Sequence, residues 1–236
     1  MAAGADDGSL GLIQPRRRSR RIDAGGRCRN LEGVQMARAV DVAALILDRA
    51  PRGRATTFTV QKLVYYVQAW SLAWLDKPAF EDAVQAWKDG PVEPNLYAIG
   101  RGEYEISRDH LAVVANRAAV SPEVARVVHA VWEAYGGLSG TELSSLTHRE
   151  APWRAARARG GAKLGQRSSA PISHESMREF YRLASLSPFL FDDAYKRGIR
   201  LLASMPDDLA ESFLSDDDEE VEVADNMDWL LDEAAG

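Results

Sequence analysis

The sequence predicts a mainly α fold. A single compact helical domain over residues 36–186, with a short β element, lies between an unstructured Arg-rich segment at 1–35 and an acidic stretch at 187–236. Three observations predict it. Helix-start signals recur: Ser121-Pro122-Glu123 sets a cap, a proline and an acid in register, and Ser139 with Glu142 has capping-box spacing. Val60, Leu63, Val64, Val67, Trp70 and Trp74 return at helical intervals. Phe80–Trp87 is short, its apolar residues partly alternate, and it is read as a strand-like connection.

The first helix is read over Asp41–Ala50, stopped by Pro51 and Gly53. Thr59 is its successor's N-cap, and that second helix runs to Asp76, before Lys77-Pro78. One of its arcs is apolar, and Tyr65, Ala69 and Leu72 occupy the other, so it is read as a central helix packed on two sides. Asp89-Gly90-Pro91 is a turn. Pro91 and Pro94 frame a short helix through Tyr97, which Gly100 and Gly102 end. The helix after Ser121 buries Val124, Val127, Val128, Val131, Trp132 and Tyr135, and Gly136-Gly137 closes it. The helix opened by Ser139 reaches His148; Pro152 starts another; Ser173 caps a last one ending at Leu186. Beyond it, amphipathic helices are expected at Asp192–Met205 and from Pro206 through Phe213.

Hydrophobic residues form 46% of the 236 and charged residues 27%, which excludes a wholly disordered chain, a collagen and a disulfide scaffold. No apolar run reaches the roughly 18 residues a bilayer needs. The lone Cys28 fits a reducing, cytoplasmic setting. The net charge of −6 is uneven: residues 187–236 carry fifteen acids against three bases, while 1–35 and 36–186 are each slightly basic. The near-neutral middle does not advertise nucleic acid as a partner. The run Arg16–Arg21 is read as incidental rather than as a nucleic-acid arm. Met36, just before the first helix, is a candidate alternative start.

Site chemistry is sparse. His110, His129, His148 and His174 show no metal-ligand spacing, and Cys28 has no partner. Gly137-Leu138-Ser139-Gly140-Thr141 misses a nucleophile elbow at its last position. Gly100-Arg101-Gly102 lacks the third glycine of a dinucleotide loop. Glu103 and Glu105 are read as solvated loop residues. No catalytic residue, metal or cofactor is expected. In the tail, Trp229, Leu230 and Leu231 form an apolar patch among acids. It is read equally as a segment that folds on a partner or as part of a solubilising tail.

Three separated stretches carry a resemblance: Gln61-Lys62 with Leu63–Trp70; Phe80 followed by Ala86–Val92 and Tyr97; and Leu143–His148 followed by Ala151-Pro152-Trp153. In this order they resemble the Panacea antitoxin domain, the family of SocA-like antitoxins and GepA-like phage-associated proteins, over residues 38–186. The resemblance implies a binding module without catalytic residues. Such a module neutralises a cognate protein toxin, encoded by an adjacent gene, through direct contact. Alternatives are an adaptor delivering a bound partner to a cellular protease, a DNA-binding regulator, and a hydrolase using His148. The family-motif residues, read also as candidate partner contacts, are Lys62, Tyr65, Trp87, Lys88, Gly90, Pro91, Thr147, His148 and Trp153. Val67 and Trp70 are read as core, Tyr65 as facing a partner, Lys88 as exposed at a rigid corner, and Thr147–Trp153 as a polar tie between helix ends.

Overall fold

A computed structural model of the chain describes residues 21–22, 28–29, 36–163 and 165–186. The chain divides into two compact units, Met1–Met36 and Ala37–Gly236. In the first, β1 (Arg21–Ile22) pairs antiparallel with β2 (Cys28–Arg29). Nothing in the sequence signals these strands, because two residues are too few to show alternation. The rest of the Arg-rich segment, the helices expected after Leu186 and the patch at Trp229–Leu231 lie outside the described residues.

The second unit is mainly α, as the sequence predicts. α1 (Ala39–Arg49) starts where the buried Asp41 carboxylate accepts from the Arg38 backbone N–H at 2.8 Å and the Asn116 N–H at 2.7 Å. A short 3₁₀ turn follows at Pro51–Gly53. β3 (Arg54–Thr56) leads into α2 (Thr57–Leu75). The cap of α2 is Thr56, not Thr59: the Thr56 hydroxyl accepts from the Thr59 N–H at 3.1 Å, so the residue read as the cap is its donor. α2 ends at Asp76, whose φ of 50° is left-handed.

β4 (Gln85–Trp87) and β5 (Gly90–Val92) form a hairpin around Lys88-Asp89. The strand expected from Phe80 therefore begins five residues late. The Phe80 backbone is held instead by Gln68, whose amide accepts from the Ala79 and Phe80 N–H groups and donates to the Phe80 carbonyl. α3 (Pro94–Ile99) follows, capped by the Glu93 carboxylate. β6 (Glu105–Ser107) then pairs antiparallel with β3, with Ala55 opposite Ile106. Glu105 is thus exposed but stands on a strand rather than in a loop. After α4 (Arg108–Ala112) come α5 (Pro122–Tyr135), α6 (Gly140–Arg149), α7 (Ala151–Arg159) and α8 (His174–Leu186). The Ser121 cap and the Ser139–Glu142 capping box form as read from the sequence.

α2 is the spine. α8, α5, α1 and α6 pack around it, and every residue from Val60 through Ala73 is buried. Its sequence explains this: apolar and aromatic residues occupy both arcs, and helices apolar all round sit in cores. Each large side chain withdrawn from water contributes about 2–3 kcal/mol. No helix among the described residues is long and apolar enough to cross a membrane.

Candidate functional site

The three stretches that carry the resemblance converge on the hairpin. From α2, the Lys62 amine donates to the Pro91 carbonyl at 3.1 Å and lies 4.4 Å from the centre of the Phe58 ring. One residue earlier, the Gln61 amide accepts from the Glu93 N–H at 2.8 Å and donates to the Glu93 carbonyl at 3.3 Å, like one more rung of a ladder. From α6, the Ser144 hydroxyl donates to the Asp89 carbonyl at 2.9 Å. From α7, the Trp153 indole donates to the Trp87 carbonyl at 3.0 Å and the Arg157 guanidinium to the Ala86 carbonyl at 3.3 Å. The far edge of β4 is covered too: Ala86 donates to Ala170, and Ile172 to Val84. Each buried backbone group of the hairpin named here thereby finds a partner.

Gly90 is the tightest point. Its φ is 107°, and a Cβ there would stand 2.6 Å from Lys62 Cε and 3.0 Å from Thr147 Oγ1. Conformation and crowding both demand glycine. Burial lowers the Lys62 amine to a pKa of about 7, and the Asp89 charge opposes the shift. His148 stacks on Trp153 with ring centres 4.2 Å apart, and its buried Nε2 has no hydrogen-bond partner. Desolvation, with the Lys62 charge second, holds its imidazole below the usual histidine range. Thr147 donates to the Ser144 carbonyl. The two helix ends meet here through the His148–Trp153 stack rather than through the polar tie expected of Thr147–Trp153, because Thr147 bonds within α6 and His148 Nε2 has no partner.

On another flank of α2 lies a centre that the sequence does not announce. The Glu150 carboxylate accepts from the hydroxyls of Tyr181 at 2.7 Å, Tyr66 at 3.0 Å and Tyr65 at 3.3 Å. Tyr66 stacks on Tyr135 at 4.1 Å, and the Trp70 indole donates to the Tyr135 hydroxyl at 3.2 Å. Burial raises Glu150 to a pKa of about 7 in spite of the three donors that lower it, and burial raises all three tyrosines. Tyr65 is therefore corrected: it is 0% exposed and serves this buried centre, with no surface to offer a partner. No local signal marks Glu150, because its donors come from α2 and α8.

Of the other motif residues, Lys62, Gly90, Pro91, Thr147 and Trp153 are buried, Trp87 and His148 are half-buried, and Lys88 is exposed. An open groove of about 900 Å³ lies above the buried set. Phe58 and the start of α2 form its floor. Trp87 and Lys88 of the hairpin, Tyr97 and Arg101 at α3, and Arg167–Ser169 form its sides. Trp87 and Tyr97 meet edge-to-face at 4.9 Å, and Tyr97 is 43% exposed. Among the described residues, no group of three His, Cys, Asp or Glu side chains could hold a metal ion. The groove offers aromatic faces and cations to a ligand surface.

No curated protein and no solved structure matches the chain. A family model does, over a span narrower than 38–186 that leaves out α1 and α8 but holds all three motif stretches. Residues 60–154, which build the hairpin and most of its clamps, match the antitoxin SocA-like, Panacea domain, a match that supports a general antitoxin role.

Proposed function

We propose that this chain is a cytoplasmic antitoxin that neutralises a cognate protein toxin, encoded by a neighbouring gene, by stoichiometric contact and without catalysis. The match of residues 60–154 to the antitoxin domain carries the reading. The groove supports it: the half-buried Trp87, the exposed Tyr97 and the arginines Arg101 and Arg167 belong to the residue types that dominate interface energies. The contact surface centres on the hairpin and α3. A stable block of a toxin buries about 1,200 Å² or more in all, so it extends past the groove onto α3 and residues 165–169.

The test is co-expression with the small neighbouring reading frame. The wild-type chain restores growth. The double variant Tyr97→Ala/Arg101→Glu binds the toxin at least ~10-fold more weakly, about 1.4 kcal/mol, and fails to restore growth, while its unfolding midpoint stays near wild type. Full rescue by that variant would remove the groove from the interface, and a neighbour that never arrests growth would remove the antitoxin reading.

A further inference from the structure

The groove has an apolar floor and a basic rim. Phe58, Trp87 and Tyr97 give it aromatic surface. Lys88, Arg101 and Arg167 stand exposed along its edges, against one acid, Asp89. A complementary pattern exists in the same chain. Residues 214–236 contain ten acids and no base, and within them Trp229-Leu230-Leu231 is bracketed by Asp228 on one side and Asp232-Glu233 on the other. An apolar triplet between carboxylates is the counterpart of an apolar floor between cations.

We infer that residues 228–233 dock in this groove of their own chain, with the triplet on Phe58, Trp87 and Tyr97 and the flanking carboxylates toward Lys88, Arg101 and Arg167. Reach permits it. Residues 187–215 can span at most roughly 100 Å, whereas a body of about 150 residues has a radius of gyration of ~15 Å. Tethering favours it: a segment on the same chain meets the groove at an effective concentration set by the intervening length and independent of bulk protein concentration. Asp216–Glu220 adds long-range attraction to the basic rim. The tail then acts as a placeholder that any partner using the groove must displace. The inference does not rest on the antitoxin reading, because it concerns the isolated chain.

Zero-length carbodiimide cross-linking of the full chain, with peptide mass mapping, tests it without a toxin. Lys88 is expected to couple to carboxylates of 228–233 in monomeric product, at least about fivefold more than the exposed Lys77 does. That yield should hold on tenfold dilution and fall at least about fivefold in the full-length Trp229→Ser/Leu230→Ser/Leu231→Ser variant. Equal coupling of Lys77 and Lys88, or an unchanged yield in the triple variant, would reduce the tail to non-specific attraction and overturn the inference. Yield that drops with dilution would place the tail of a second copy in the groove and overturn docking within one chain. Absence of any coupling between Lys88 and 228–233 would overturn it outright.

Discussion

Two flanks of the same helix handle a buried ionisable group in opposite ways. On one, Glu150 is sealed inside tyrosine rings and takes three hydroxyl donors. On the other, Lys62 has a single carbonyl acceptor and a ring face, and it lies beneath an open groove. Burial drives both toward neutrality, the acid upward and the base downward, each to about 7. The difference lies in what surrounds them. The tyrosine centre closes the interior, whereas the lysine centre fixes the backbone of a hairpin whose outer side faces solvent. One flank carries stability and the other carries shape at the surface.

The sharpest way to break this contrast is to delete the acceptor. Glu150→Ala leaves three buried hydroxyls without their carboxylate and opens a cavity, so it costs about 3–5 kcal/mol by denaturant titration. Glu150→Gln keeps an acceptor oxygen and costs less than half as much. Equal losses in the two variants would mean that the tyrosines do not depend on the carboxylate.

The pH profile separates the flanks by sign. Glu150 binds a proton more tightly folded than unfolded, so its contribution is whole below its ordinary 4.5 and is lost as pH rises through about 7. Lys62 behaves inversely: its contribution is whole above 10.5 and is lost as pH falls through about 7. His148 and His174, both lowered by burial, oppose the acid limb, so the measurement is a difference between variant and wild type. Glu150→Gln should remove a decline of about 2–3 kcal/mol between pH 4.5 and 7, and Lys62→Met a larger rise of about 4 kcal/mol between pH 7 and 10.5.

Gly90→Ala sharpens the lysine side alone. It combines a left-handed φ with a Cβ against Lys62 Cε and should cost about 2 kcal/mol. In a Lys62→Ala background the clash with Lys62 disappears while the tight contact with Thr147 remains, giving a coupling of about 1 kcal/mol. Strict additivity would show that the two residues do not crowd each other.

What is legible in the sequence is local. Ser121-Pro122 and Ser139 with Glu142 announce their helices because a cap acts within three residues of itself. Thr56 and Thr59 stand three apart, and either could begin a helix, so residue type alone picks the donor as readily as the acceptor. Period analysis turns Tyr65 outward because it needs a polar side to define outward, and α2 has none. The pairing of Arg54–Thr56 with Glu105–Ser107 joins three-residue strands about fifty residues apart, too short for alternation to register. The motifs identify the hairpin's clamps without any contact in view, but they say nothing of Glu150, whose donors lie far away along the chain.

A spine enclosed on every side also limits where this protein can diversify. Residues Val60 through Ala73 are all buried against neighbouring helices or the hairpin, so changes that retune recognition have to accumulate elsewhere. Lys88-Asp89, the exposed side of α3 and the connection held by Arg157 through the Lys163 and Gln166 carbonyls are the positions free to vary. Related chains that target different molecules are expected to share the interior and to part company at these margins.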